Sequence, residues 1–152
     1  MTPVLRPARP TDAGAVGAIL SEFIDDTPWM PRIHTRAEDL AHAGDLIARG
    51  WVTVGEAGSV CEAGSVCGFL ARDGDIVQAL YLTTGARGHG LGTALLDHAK
   101  ARSARLDLWT FAANTGARRF YERNGFHAVA RSDGDNDEGL PDIRYRWERD
   151  AP

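Results

Sequence analysis

No run of about 18 apolar residues occurs anywhere in this sequence, so nothing in it reads as a membrane-spanning helix and no membrane partner is expected. The opening residues, MTPVLRPARPTDAGA, lack the apolar core of a secretory signal, which places the expected location in the cytoplasm. An excess of basic residues is also missing. Lys and Arg number 17 against 21 Asp and Glu, a net charge of −4, which argues against nucleic acid as the partner. The same balance is compatible with a cationic small molecule. Cysteine is scarce, with Cys61 and Cys67 only. They could form a disulfide or redox pair, but two small, partly buried thiols in a reducing cytosol is the reading we favour. No His pair stands near them, and His34, His42, His89, His98 and His127 have no metal-ligand spacing, so no metal site is expected.

What remains is an ordinary globular composition: 152 residues, 43% hydrophobic and 25% charged. That suits one domain, residues 1–152, with a real core. Val4 to Ala8 reads as a strand. Thr11 or Asp12 then caps a helix to about Phe23, with Val16, Ile19, Leu20 and Phe23 on one face. DDTPWMPRIH holds two prolines three apart and is read as a loop. Thr35 and Glu38 form a capping box for a helix that Gly50 stops near Arg49. WVTVGE, CGFLAR and IVQALYL follow as strands, with a hairpin turn at Asp73–Asp75. The apolar run of IVQALYL suggests a buried central place. A helix from about Gly90 to Ala104, the strand LDLWTF, and a helix over NTGARRFYER closed by Asn124 and Gly125 come next. HAVARS and IRYRWER are the last strands, with the acidic loop DGDNDEGLPD between them. EAGSVC occurs twice in tandem, at 56–61 and 62–67. Two copies are too few for a solenoid. A six-residue insertion keeps strand parity, which would explain its tolerance.

The segment TTGARGHGLGTALL carries glycines at 85, 88, 90 and 92 just before a helix. A Walker loop would need Lys and Ser/Thr where Leu91 and Gly92 stand, so an NTPase is rejected. A dinucleotide fingerprint would need G-x-G-x-x-G, and Gly88, Gly90 and Gly92 give G-x-G-x-G with no second βαβ unit. A third pattern, R-x-x-G-x-G, is satisfied by Arg87, Gly90 and Gly92. Glycines there let the backbone approach an anion, and a helix start offers unpaired N–H groups and a positive dipole end. A pyrophosphate would suit it. A plain tight turn before a helix is the alternative if the segment is taken alone.

Two segments together resolve that choice. LYLTTGARGHGLGTALLDHAK resembles the pyrophosphate-binding strand–loop–helix of the GNAT superfamily of acetyl-CoA-dependent N-acyltransferases. LWTFAANTGARRFYERNGFHAV resembles that family's next strand–helix segment. The order of elements is similar from Val4 to Arg149, nearly the whole chain. The resemblance implies an α/β (α+β) single-domain fold, with a mixed, mostly antiparallel sheet of about seven strands flanked by about four helices. It implies acetyl-CoA as the cofactor. Backbone amides from Arg87, Gly88, His89, Gly90, Leu91 and Gly92 would hold the pyrophosphate, with Thr93 adding its hydroxyl. The pantetheine arm would pair with the main chain of Leu80 and Leu82, in a gap opening between IVQALYL and LDLWTF. Asn114 reads as a helix N-cap, and by resemblance also touches the arm or orients the acceptor. Tyr121, two turns further along, would be the general acid that protonates the departing sulfur, since a phenol stays protonated at neutral pH. A tyrosine packed beside Phe120 is the alternative.

Some family members carry a glutamate base on the central strand. Gln78 stands here and cannot serve. Asp75, at the strand's start, is the nearest carboxylate by sequence, although a D-G-D turn also explains it, and bulk water could take the proton. The family often has proline where this chain has Thr84, and little consequence is expected. The acceptor, a small-molecule or peptide primary amine that the sequence does not name, would meet Asp25, Asp26, Trp29 and His34 from one loop. The carboxylates Asp133, Asp135, Asp137, Glu138 and Asp142 are offered from the other, although a solvated acidic turn is the reading we favour for most of them. The readings kept open are an N-acetyltransferase, a non-catalytic acyl-CoA-binding or sensor domain of the same fold, and a module whose exposed strands pair in a homodimer.

Overall fold

A computed structural model of the chain describes residues 3–57 and 64–150. Seven strands form a single sheet in the order β1-β2-β3-β4-β5-β7-β6. They are β1 (Val4–Pro7), β2 (Val52–Glu56), β3 (Gly68–Asp73), β4 (Ile76–Leu82), β5 (Arg105–Phe111), β6 (His127–Ser132) and β7 (Asp142–Glu148). Four helices flank it: α1 (Ala13–Asp26), α2 (Arg36–Ala48), α3 (Leu91–Lys100) and α4 (Thr115–Arg123). Every neighbouring pair is antiparallel except β4 and β5. The mixed α/β sheet and its four helices match the expected fold class. Cys61 and half of the tandem EAGSVC repeat, residues 58–63, lie outside the described residues. Cys67 is buried. Among the described residues no helix is long and apolar enough to cross a membrane.

The sheet separates two apolar layers. Val16 and Ile19 of α1 and Leu46 and Ile47 of α2 cover one face with Val54, Phe69 and Ala71. On the other face Leu91, Leu95 and Leu96 of α3 and Tyr121 of α4 pack on Leu70, Leu106, Leu108 and Ile143. Several boundaries differ from the sequence reading for identifiable reasons. Asp12 holds the N-cap position of α1, as read, but its side chain makes no capping bond there. Its carboxylate accepts instead from Arg6 at 2.8 and 3.1 Å and from the Arg9 N–H at 2.7 Å, beside a short 3₁₀ turn over Pro10–Asp12 that precedes α1. Helix α3 ends at Lys100, not Ala104, because the Ala104 carbonyl accepts from the Arg149 N–H at 2.8 Å, outside any helix. The Thr35–Glu38 capping box is present with both bonds.

Asp107 on β5 is 1% exposed. It accepts from Arg144 Nε at 3.1 Å and from Arg146 Nε and Nη2 at 2.9 and 3.1 Å. These hydrogen bonds, Arg146's foremost, hold its carboxyl below the usual range against the opposing pull of burial. A lowered carboxyl stabilises the fold above its unfolded value of ~3.9 and loses that contribution as the pH falls through the folded value. Asp107→Asn should therefore cost about 2 kcal/mol at pH 7, below the full cost of a broken buried pair because both arginines can reach water. Urea midpoints for wild type and variant should converge below pH ~4. A gap that stays constant with pH would show that the ion cluster does not carry the effect.

Candidate active site

Strand β4 is the fourth of seven, yet its second half is only half-buried. The cause is a parting of the sheet. Strands β4 and β5 pair only through Ile76↔Asp107 and Val77↔Leu108, and past that point they diverge around a cleft of about 510 Å³. Gln78 is an extra residue on β4, because Ala71 pairs with Ala79 while Arg72 pairs with Val77. Such a bulge reverses which main-chain groups face each neighbour. The Thr83 N–H donates to Cys67 O on the β3 side at 2.9 Å. Strand parity then turns the main-chain groups of Leu80 and Leu82 toward the gap. Both residues line the cleft.

Beyond β4 the chain makes a 3₁₀ turn over Thr84–Ala86 and then the glycine-rich loop. Gly88 and Gly90 adopt φ of +77° and +88°, the left-handed region that favours glycine. A Cβ on either would meet nothing within 4 Å. Backbone conformation, not crowding, therefore demands glycine there. Gly92 is different, since a Cβ would sit 3.0 Å from Phe120 Cζ, and its smallness lets α4 pack on α3. Gly90 caps α3, whose first internal bond runs from the Ala94 N–H to Gly90 O at 3.0 Å. The N–H groups of Leu91, Gly92 and Thr93 precede that bond and, among the described residues, are the free donors of the helix start. Arg87, Gly88, Gly90, Gly92 and Thr93 line the cleft. The Leu91 side chain is fully buried, so only its main chain can take part. His89 is exposed and is not part of the lining.

Opposite this loop, α4 begins at Asn114, whose side chain accepts from the Ala117 N–H at 3.1 Å, as an N-cap should. Asn114 also lines the cleft. Tyr121 is 8% exposed and lies within 5.3 Å of the Phe120 ring, 5.6 Å of Phe126 and 6.2 Å of Tyr145. It too lines the cleft, and its hydroxyl makes no hydrogen bond among the described residues. Burial pushes its phenol well above the ordinary value, with the Tyr81 phenol adding to the effect. Tyr81 points in from the other face of the sheet. Burial, then the charge of Glu138, push it up to about 12. Two protonated phenols thus look into one gap from opposite sides.

The α1 side of the cleft is aromatic. Phe23, Tyr81 and Phe111 line it. Trp29 stands edge-on to Phe23 at 6.5 Å and to Phe111 at 5.7 Å, which brings it to the cleft's rim. The other residues expected at the acceptor lie apart. Asp25 is engaged by Arg32 and Arg36, Asp26 is exposed, and His34 sits 3.6 Å from Glu38 on the surface. Asp75 is an exposed turn residue at the end where β4 and β5 still pair, and its carbonyl accepts from the Asp107 N–H at 2.8 Å. No carboxylate lines the cleft among the described residues, whereas Gln78 does. The acidic loop packs beside the end of β5 through the Ala112 N–H to Pro141 O bond of 2.9 Å. Tyr81 and Phe111 had no motif to betray them. Only the alternation around Phe111 and Tyr81 could have hinted at their facing.

A parallel strand pair parts beside a helix start whose N–H groups suit an anion. The comparisons carry this to the family. Residues 48–128 match the family model described as an acetyltransferase (GNAT) domain. Over 90% of both chains the sequence is 32% identical to the peptidyl-lysine N-acetyltransferase YjaB of Escherichia coli. The solution structure of apo-form YjaB superposes with a TM-score of 0.79 at 23% identity, covering 99% of this chain and 100% of that one. Salmonella typhimurium yncA, solved with its cofactor acetyl-CoA, gives a TM-score of 0.73 at 20% identity over 100% and 96% of the two chains. The match to Mycobacterium tuberculosis Rv2775, named a probable N-acetyltransferase, is 36% identical but spans only 50% of this chain and 47% of that protein. This chain belongs to the GNAT acetyltransferases, acyltransferases that use acetyl-CoA.

Proposed function

We propose that the chain transfers the acetyl group of acetyl-CoA to a primary amine by direct attack, with Tyr121 as the general acid. The observation that carries this reading is one cleft holding three things. They are the unpaired main chain of β4, the free N–H groups at the start of α3 and the unpartnered hydroxyl of Tyr121. The residues fit the donor: Arg87 and the amides of the loop suit a diphosphate, and Leu80 and Leu82 suit an amide-bearing arm. The donor supplies an activated acyl thioester. Asn114 fixes the start of α4 and so the direction of Tyr121. The Tyr121 phenol keeps its proton available at the oxygen until a thiolate needs it.

The acceptor enters by the aromatic side. Phe23, Trp29, Tyr81 and Phe111 suit the stem and charge of an alkylammonium. Their setting beside the acidic loop adds a favourable field. The name of E. coli YjaB supports a peptide lysine as acceptor, and a small diamine has the same chemistry. Pairing of the outer strands β1 and β6 in a homodimer would show as a doubled mass in light scattering.

The reading is tested by following release of free CoA thiol with polyamines, aminoglycosides, amino acids and lysine peptides. Turnover with any amine supports it. Binding of acetyl-CoA without turnover across the panel supports the sensor reading instead. A cleft without a carboxylate has a second consequence. Lacking a protein base, kcat/KM should climb about tenfold per pH unit toward the acceptor's own pKa, near ~10.4 for a lysine. Asp75→Asn should not alter that slope. A plateau reached below pH ~8 would instead reveal a base within the protein.

A further inference from the structure

The entrance to the donor loop is tied to the rest of the molecule by one side chain from far away in sequence. Glu22 Oε1, on α1, accepts from the Thr84 N–H at 2.9 Å and from the Thr84 hydroxyl at 2.8 Å. Those bonds, the backbone one first, hold the Glu22 carboxyl below its ordinary value. Thr84 opens the 3₁₀ turn that leads to Arg87 and Gly88. The next residue on α1, Phe23, lines the opposite side of the cleft and touches Tyr81 at 4.7 Å between ring centres. Adjacent residues of one helix therefore hold the donor loop and wall the acceptor side.

A proline in place of Thr84 is the rigid alternative to this tie. A proline there would supply neither the N–H nor the hydroxyl that Glu22 takes. It would give stiffness instead, because the first position of such a turn accepts its fixed φ. Thr83 before it is already extended, with φ −61° and ψ 153°, as a pre-proline residue must be. In this chain the loop's stiffness is delegated to a contact with α1.

We propose that Glu22 is a positioning residue whose grip on Thr84 locks the donor loop to α1, so that the donor and acceptor halves of the cleft are set together. This coupling rests on the acetyl-CoA reading above, but the contact itself does not. Three variants separate the possibilities. Glu22→Ala frees both the loop and the helix. Acetyl-CoA affinity by calorimetry should fall by roughly 5- to 20-fold, in line with lost hydrogen bonds to a charged acceptor, and the KM for the amine should rise with kcat little changed. Glu22→Gln keeps an accepting oxygen and should restore both to within about threefold. Thr84→Pro keeps the loop stiff but cuts the tie, so acetyl-CoA affinity should stay near wild type while the amine KM still rises.

An unchanged amine KM in Thr84→Pro overturns the coupling, because the grip would then do no more than stiffen the loop. Unchanged acetyl-CoA affinity in Glu22→Ala overturns it as well. Hydrogen exchange at residues 83–90 reads the contact without any donor, and Glu22→Ala should speed it. If wild type binds no acetyl-CoA while that exchange still quickens, the donor reading has failed and the contact has not.

Discussion

Gly90→Val should abolish measurable binding of acetyl-CoA while leaving most of the fold in place. Gly90 has φ of +88°. For a side-chain-bearing residue that region costs about 1–2 kcal/mol, and more for a β-branched one. The cavity does not forbid the substitution, since a Cβ at this position meets nothing within 4 Å. The loop would relieve the strain by rotating Gly90 to negative φ, and in doing so would turn away the N–H groups of Leu91, Gly92 and Thr93. Loss of several converging donors to a charged diphosphate, each worth about 1.5–3 kcal/mol, predicts at least a hundredfold weaker complex. Calorimetric titration reads this directly. A thermal midpoint within a few degrees of wild type would show that the effect is local, since α3 retains Leu91, Leu95 and Leu96 in the core. Unaltered affinity would mean that the diphosphate rests elsewhere. Gly90→Ala separates strain from bulk and should fall between the two.

The glycine loop that borders the cleft was legible in the sequence because its conformation is a main-chain property. Left-handed residues before a helix must be glycines, and glycines leave a pattern in the letters. The capping signals at Thr35, Glu38 and Asn114 were legible for the same reason, each being a local bond between near neighbours. Register and depth were less so. Gln78 reads as one polar residue in an apolar strand, and only its partners show it as the bulge that turns Leu80 and Leu82 toward the gap. Asp75 was attractive because it is near Gln78 in sequence, but the strand carries it to the closed end of the gap. Asp25 and His34 lie near Trp29 in sequence, yet Asp25 falls in the last turn of α1, and their partners Arg32, Arg36 and Glu38 hold both at the surface. Thr84 was expected to matter little, since the loop's work falls to backbone groups. The structure gives both of its donors to Glu22, 62 residues away, a distance over which no local pattern reaches.

Tyr121→Phe should lower kcat by about 10²- to 10³-fold with little change in the KM for acetyl-CoA, the range expected when a positioned acid is removed. The substitution is unusually clean for a buried residue. The ring contacts with Phe120, Phe126 and Tyr145 are made by carbon and survive intact. The hydroxyl has no hydrogen-bond partner among the described residues, so its removal orphans no protein group and the thermal midpoint should hold within a degree or two. A merely structural tyrosine would show the reverse, a stability loss with kcat preserved. Residual activity should depend on the leaving thiol. A donor whose thiol is more acidic needs less help from a proton and should recover much of the lost rate in the variant, while gaining little in wild type. If the variant turned over at the wild-type rate, the proton would have to come from water. The burial that keeps the Tyr121 phenol protonated would then serve packing alone.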